Sequence, residues 1–147
     1  MEVISGLKNV NIKRPTILTV GTFDGVHLGH QKIINQLVAT AKKNDLLPIL
    51  ITFEPHPKLV VNTKHKNPIY ILSDLEEKIE IFRGLGLKKV IVIEFTKDFS
   101  KMNHQDFIKD ILISKLNAKF IIIGHDHAFG SNRAGTFREL DESSVSF

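Results

Sequence analysis

The sequence contains no cysteine among its 147 residues. Disulfide bonds, thiolate catalysis and zinc sites with cysteine ligands are therefore excluded. No apolar stretch approaches the roughly 20 residues that a helix needs to span a bilayer. The N-terminus also lacks the basic region, apolar run and small-residue cleavage site of a secretory signal. We expect a cytoplasmic protein without a membrane partner.

The basic residues are not concentrated in one stretch, although 20 basic and 16 acidic residues give a formal net charge of +4. Such scattered charge favours a solvated surface over a nucleic-acid-binding stripe. A mildly basic pocket would still suit an anionic nucleotide. With 42% apolar and 24% charged residues, the composition is typical of a globular protein. We expect one domain over residues 1–147.

Short apolar runs alternate with segments of helical spacing along the chain. Such alternation, with strands apolar on both faces, predicts an α/β fold with a doubly wound, Rossmann-like parallel sheet. An edge strand or extended arm is expected before Pro15. The predicted core strands are 16–20, 47–53, 89–95 and 120–123, and the predicted helices are 28–43, 73–84 and 104–116.

Local signals mark the ends of several elements. Ser73 followed by Glu76 matches a capping box, which places the start of the second helix at Ser73. Asn103 is a plausible cap for the third helix. Pro55 and Pro57 argue against helix and central strand alike, so residues 54–72 are expected to form a long connection without a helix. The buried positions expected in the helices are Ile33, Ile34, Leu37, Val38, Ala41, Leu75, Ile79, Phe82, Phe107, Ile108, Ile111, Leu112 and Leu116.

Four loops leave the carboxyl ends of the predicted strands, which is the edge where parallel sheets bind ligands. They begin at Gly21, Phe53, Phe95 and Gly124. We expect their polar residues to converge there. These residues are Asp24, His27, His30, His56, Thr96, Asp126 and Arg133.

The first loop carries the pattern with the clearest chemistry. His27 and His30 lie three residues apart where a helix begins. We expect His30 to be exposed and to point the same way as His27, so that both side chains can donate hydrogen bonds to one phosphoryl group. The helix start supplies unpaired amides and a positive dipole end for the same anion. Gly21, Gly25 and Gly29 would let a ligand approach the backbone closely. The pattern is neither a P-loop nor a Gly-x-Gly-x-x-Gly fingerprint.

Two alternatives stay open at this loop. In the first, His27 and His30 are metal ligands, although no neighbouring carboxylate completes such a set. Asp24 either forms a turn with Gly25 or takes a role linked to nucleotide or magnesium.

The stretch Gly21-Thr22-Phe23-Asp24-Gly25-Val26-His27-Leu28-Gly29-His30 resembles the signature of nucleotidylyltransferases with a His-x-Gly-His motif. Thr52-Phe53-Glu54-Pro55-His56-Pro57 and Gly124-x-Asp126-x-x-Phe129-Gly130 narrow the resemblance. With them, the chain is similar to the FMN adenylyltransferase (FAD synthetase) module of bacterial bifunctional riboflavin kinase/FAD synthetases. Residues 72–78, Phe95-Thr96 and Arg133-x-Gly135 extend the match over nearly the whole chain.

The resemblance implies a reaction in which ATP and FMN give FAD and pyrophosphate, with Mg²⁺ and with ligands of the metal unassigned. It implies catalytic roles for His27 and His30 on the phosphates of ATP. The nucleotide-binding residues that it implies are Gly21, Thr22, Phe23, Asp24, Gly25, Gly29, Asp126 and Arg133. The flavin-binding residues that it implies are Pro55, His56, Pro57 and Phe129.

The chain departs from the family pattern in two places. His127 stands where many members have phenylalanine. The family's Ser-Ser-Thr-x-Ile-Arg segment and its riboflavin kinase module do not occur before Phe147, and no arginine follows Ser143-Ser144. We therefore expect a truncated domain that binds nucleotide better than it turns over. The alternatives are another adenylyl- or cytidylyltransferase of this fold, and a catalytically silent nucleotide- or flavin-binding module.

Overall fold

A computed structural model of the chain describes residues 1–61 and 68–124. At its centre lies a five-stranded sheet with the order β1-β4-β3-β2-β5. Every pairing between neighbouring strands is parallel. The strands are β1 (Glu2–Ser5), β2 (Thr16–Val20), β3 (Leu47–Glu54), β4 (Lys89–Glu94) and β5 (Ala118–Ile122). The predicted Rossmann-like α/β class is confirmed, and the expected arm before Pro15 contains the edge strand β1.

Helices cover both faces of the sheet. The longest is α1, which covers the bounds that its period predicts. The helices are α1 (Leu28–Lys43), α2 (Pro57–Val61), α3 (Leu75–Gly84) and α4 (His104–Asp106), the last continuing as a π-helix over Phe107–Ile113. Within the described part of the chain, none of them is long and apolar enough to cross a membrane.

Each face of the sheet has its own hydrophobic core. Ile34 and Leu37 of α1 pack with Phe82 of α3 against one face. Phe107 and Leu112 of the π-helix pack against the other face. Strand β2 is buried along its whole length, because it lies inside the sheet and is covered on both sides. The sheet is thus a rigid support for the loops at its edge.

The prediction that residues 54–72 contain no helix is wrong, because α2 begins at Pro57. Proline is tolerated at the first position of a helix, where its missing amide hydrogen would have no partner. The pair of prolines therefore marks the start of a short helix as well as the end of β3.

The capping box of α3 lies one residue later than predicted. Asp74 is the N-cap, accepting a hydrogen bond from the backbone amide of Glu77, and the Glu77 side chain accepts one from the amide of Asp74. Aspartate caps helices as well as serine does, so the pattern fits either frame. The shift leaves the hydroxyl of Ser73 available for another contact. The end of the helix at Gly84 agrees with the prediction.

Two predictions for the last part of the described chain need correction. Strand β5 is an edge strand and not a core strand, with Phe120 54% exposed. The third helix starts after its predicted cap, Asn103, but ends at Ile113 and is mostly π-helical. The five apolar residues predicted to be buried in this segment are all buried, and Leu116 lies beyond the end of the helix. Their spacing does not distinguish the two helix types, since both place these residues on one side.

Candidate active site

The carboxyl ends of the parallel strands meet at one edge of the sheet. Strand β2 ends at Val20 and its hydrogen-bonded neighbour β3 ends at Glu54. The loop after β2 therefore leaves the sheet beside the loop that begins at Pro55. Ligands of such sheets bind at this edge, so both predicted motifs lie where a site is expected.

The loop after β2 turns sharply through left-handed backbone conformations. Phe23 has φ 50° and ψ 34°, and Gly25 has φ 69°. Glycine adopts this region freely, whereas for Phe23 it costs about 1–3 kcal/mol. The ring of Phe23 is nevertheless only 3% exposed and packs edge-on against Phe82 of α3. Burial of this ring stabilises the strained turn.

Asp24 fastens the loop to the segment that precedes α3. Its Oδ1 accepts hydrogen bonds from the backbone amides of Leu72, at 2.8 Å, and Ser73, at 3.1 Å. In the opposite direction, the amide of Gly25 donates to Oγ of Ser73 at 2.8 Å. These bonds give Asp24 a structural task, and its contact with nucleotide or magnesium stays a prediction.

Two stacked imidazole rings stand at the start of α1. His27 is the N-cap, and its Nδ1 accepts a hydrogen bond of 3.4 Å from the backbone amide of His30. The ring centroids are 3.7 Å apart and the ring planes are inclined by 23°. The side chains lie together, as their spacing predicts, beside a helix end that favours anions.

Gly29 is needed by this pair of imidazoles itself. A Cβ atom at position 29 would lie 3.1 Å from Cε1 of His27 and 3.2 Å from its Nδ1. In this loop, the absence of a Cβ on the glycines lets the chain's own side chains approach the backbone closely. A similar approach by a ligand stays a prediction. The side chains that the glycines admit are Phe23 at Gly21, Leu72 at Gly25 and His27 at Gly29.

His30 is partly buried, and the expectation that it is exposed is wrong. Its ring lies edge-on to that of Phe23, with 5.2 Å between the centroids. Its Nδ1 is buried and has no hydrogen-bond partner among the residues that the structure describes. Burial lowers the pKa of His30, the neighbouring His27 lowers it further, and Asp24 acts in the opposite direction. The lowered pKa favours the neutral form of His30 near pH 7, and its Nδ1 is unpaired within the described part of the chain.

His56 lies on the other side of the site, between Pro55 and Pro57. The residue is only 7% exposed. Its Nδ1 accepts a hydrogen bond of 3.1 Å from the amide of Lys58 in α2, so the proton of the neutral ring is on Nε2. Burial lowers the pKa of His56, and the carboxylate of Asp24 opposes that shift.

Lys78 also lies at the site, although no role is predicted for it from the sequence. It is 2% exposed, and its Nζ donates a hydrogen bond of 3.4 Å to the carbonyl oxygen of Thr22. Burial lowers the pKa of Lys78, and the carboxylates around it oppose the shift. The signal in the sequence is its helix position, since Lys78 follows Leu75 by three residues and precedes Phe82 by four. A lysine thus stands on the apolar stripe of α3.

A cavity of about 330 Å³ opens between the end of β3 and the start of α3. The two imidazoles at the start of α1 are not on its wall, whereas His56 is. The wall of the cavity contains three carboxylates and one ammonium group, that of Lys78. The lining residues are Glu54, His56, Ile71, Leu72, Ser73, Asp74, Leu75, Glu77 and Lys78.

Several predicted residues stand apart from this group. Thr96 is exposed, and its hydroxyl accepts a hydrogen bond of 3.0 Å from the amide of Phe99, the first residue of a short 3₁₀ helix. Asp126, Phe129 and Arg133 lie outside the described residues. Within residues 1–61 and 68–124, no group of three or more histidine, aspartate or glutamate side chains is arranged to hold a metal ion.

Comparison with known proteins gives consistent results. The sequence model of the family described as FAD synthetase matches residues 9–147. A bifunctional riboflavin kinase/FMN adenylyltransferase from Buchnera aphidicola subsp. Schizaphis graminum is 42% identical over 97% of the chain and 45% of its own length. The enzyme of the same description from Escherichia coli K12 is 32% identical over 100% of the chain and 47% of its own length. The chain thus spans about half the length of the curated relatives it matches.

A solved structure supports the fold. The crystal structure of a protein described as a macrolide-efflux protein from Streptococcus pneumoniae superposes with a TM-score of 0.79, covering 95% of this chain and 46% of that one. The two sequences are 24% identical, so this likeness concerns the fold alone.

Proposed function

The chain belongs to the FAD synthetase family, and we propose that it transfers the AMP group of ATP to FMN. In this reaction an oxygen of the FMN phosphate forms a bond to the α-phosphorus of ATP, while the bond from that phosphorus to the β-phosphate bridge breaks. The products are FAD and pyrophosphate. The observation that carries the proposal is the stacked pair of imidazoles at the start of α1, at the carboxyl edge of the sheet.

The triphosphate of ATP is proposed to lie at this helix start. The first-turn amides and the helix dipole attract it, and the rings of His27 and His30 donate hydrogen bonds to its oxygens. Because Nδ1 of His27 already accepts a hydrogen bond, the donor that its ring offers is Nε2–H. Fixed donors near the α-phosphate stabilise the charge that grows on its oxygens, which is the main task in phosphoryl chemistry.

Magnesium is proposed to arrive as part of the MgATP substrate. Mg²⁺ is usually held by substrate phosphates together with one or two carboxylates. This mode agrees with the lack of a three-residue metal cluster in the described part of the chain. The ion neutralises phosphate charge when it is bound.

The flavin ring is proposed to lie on the side of His56 and the cavity. The three carboxylates of the cavity wall disfavour a phosphate there, and its leucine and isoleucine side chains suit a planar, largely uncharged ring. The flavin phosphate would then extend toward the imidazole pair. Roles for Pro55, Pro57, Phe129, Asp126 and Arg133 are part of this proposal and follow from family membership.

Adenylyl transfer is tested with ATP labelled in either the α- or the γ-phosphate. Incubation with FMN and magnesium should give label in FAD from α-labelled ATP only, and label in pyrophosphate from γ-labelled ATP. Label from γ-labelled ATP in a flavin would indicate a kinase, and free labelled phosphate alone would indicate hydrolysis. Either result would overturn the proposal.

The same assay separates the alternatives of this fold. Product from CTP, or from another phosphorylated acceptor in preference to FMN, would indicate a different nucleotidylyltransferase. Binding of ATP and FMN by calorimetry without any product would indicate a silent binding module. Because the reaction consumes ATP, the proposed location is the cytoplasm.

A further inference from the structure

We propose that Lys78 is a positioning residue for the imidazole pair and acts through the backbone carbonyl of Thr22. This inference rests on the proposed function, because the pair is the group assigned to the phosphates of ATP. A buried ammonium group is unfavourable in a protein interior, and methionine or leucine would fill the same space on α3 without that cost.

Lys78 links α3 to the loop after β2. Its Nζ reaches across to the first loop and donates to the carbonyl oxygen of Thr22. The same oxygen accepts a hydrogen bond of 3.2 Å from the hydroxyl of Thr52 in β3. Donors from two different elements thus fix the orientation of the peptide that joins Thr22 to Phe23.

That peptide controls a strained residue. Phe23 is held in the left-handed region, and its ring lies against His30, which in turn stacks on His27. Rotation of the Thr22 carbonyl would change the direction of the Phe23 ring. The imidazole of His30 would then lose the surface that sets its position.

Charge alone does not provide this link. The charged neighbours that shift the pKa of His30 are His27 and Asp24, and Lys78 is not among them. Asp24 is an electrostatic neighbour of both groups, and the structural contacts that join Lys78 to His30 run through the Thr22 carbonyl and Phe23. The surrounding carboxylates Glu54, Asp24 and Asp74 oppose the lowering of the pKa of Lys78 by burial, and they also make this place unfavourable for a phosphate.

The test replaces Lys78 by methionine, an unbranched side chain one atom shorter, which removes the donor and the charge. A control, Leu112→Ala, weakens the core on the opposite face of the sheet, where Leu112 is 1% exposed. Two readouts are needed. The first is the imidazole NMR spectrum of His27 and His30, titrated with pH in the absence of substrate. The second is kcat and KM for adenylyl transfer.

We expect Lys78→Met to shift the imidazole resonances and the titration of His30, and to lower kcat by about 10- to 100-fold. Leu112→Ala should reduce stability with unchanged imidazole spectra and kcat. Lys78→Arg, which restores a donor and a charge, should partly restore both the parent imidazole spectrum and the parent kcat.

Three results would overturn the inference. If Lys78→Met lowers only stability, the residue is structural. If it raises KM for FMN while the imidazole spectra stay unchanged, the ammonium binds substrate directly. If it lowers kcat with unchanged spectra, the imidazole pair is not the target. If the parent chain makes no FAD, the proposed function fails, and the substrate-free NMR comparison still decides the role of Lys78.

Discussion

Asp24 and Ser73 are 49 positions apart in sequence, and the backbone amide of Ser73 donates a hydrogen bond of 3.1 Å to Oδ1 of Asp24. The hydroxyl of Ser73 accepts a second bond from the amide of Gly25, next to Asp24. This reciprocal pair joins the loop proposed for ATP to the segment that lines the cavity proposed for the flavin. The two halves of the site are therefore held in a fixed relation by a few polar contacts.

Removal of the Asp24 side chain should loosen that relation. Two backbone amides lose their acceptor in Asp24→Ala, so we expect the free energy of unfolding to fall by about 1–3 kcal/mol. Asp24→Asn keeps an acceptor oxygen and should cost less. Urea unfolding measures both values, with Asp110→Ala, an exposed carboxylate on another helix, as the control. Equal stability of Asp24→Ala and the parent would show that the contacts are dispensable.

His30→Ala should abolish most adenylyl transfer. The variant removes one of the two rings proposed to act on the phosphates, so we expect kcat to fall about 100- to 1,000-fold, as for loss of one fixed donor. The fold should survive, because His30 is only partly buried and packs mainly against Phe23. Circular dichroism checks the fold, and His104→Ala is the matched control. Equal turnover in His30→Ala and the parent would contradict the proposed site.

The framework of the fold follows closely from the sequence. The buried strand Thr16–Val20 and the amphipathic helix Leu28–Lys43 are recognised because their own periodicity determines them. The order of strands in the sheet is less accessible. An apolar run such as that around Phe120 looks the same at an edge as in the middle, because its neighbours come from elsewhere in the chain.

The site is predictable only in part, for a similar reason. The spacing of His27 and His30 predicts that the two side chains lie together, since both belong to one short segment. The roles of Ser73 and Lys78 depend on contacts with residues about 50 positions away, and no local pattern encodes them. A lysine on an otherwise apolar helix face is the one local sign that such a contact exists.

Stability should fall as the pH is lowered through the histidine range. His56 has a folded-state pKa below its ordinary value of 6.5, mainly because it is buried. At pH 8 the ring is neutral whether the chain is folded or unfolded, so this difference contributes nothing there. Below about pH 6.5 the unfolded chain binds the proton more readily, so the free energy of unfolding decreases until the folded-state pKa has been passed.

The measurement compares the parent with His56→Asn. Asparagine keeps an acceptor for the amide of Lys58 but does not titrate. Urea midpoints at pH 8 and pH 5 should therefore differ less in the variant than in the parent. His30, whose pKa is also lowered, contributes in the same direction in both proteins. Identical differences in the two proteins would refute this assignment.

Leu37→Ala tests the core that supports α1. Leu37 is 0% exposed and packs beneath the helix that carries the imidazole pair. Its truncation leaves a cavity, so we expect a loss of about 2–5 kcal/mol in the free energy of unfolding. Thermal or urea unfolding measures the loss. A change below 1 kcal/mol would mean that the helix is packed differently from the structure.

Gly29→Ala should separate stability from activity. Alanine is favoured over glycine in a helix by about 0.5–1 kcal/mol, so the free energy of unfolding should stay the same or rise. The new Cβ would lie 3.1 Å from Cε1 of His27, and this exposed ring can move away at little cost. Even a small shift of this ring would disturb its stack on His30, and we expect kcat to fall by about 10-fold or more. The control is Gly84→Ala at the end of α3, where nothing lies within 4 Å of the added Cβ, and this variant should keep full activity. Full activity in Gly29→Ala would mean that transfer does not depend on the observed arrangement of the two rings.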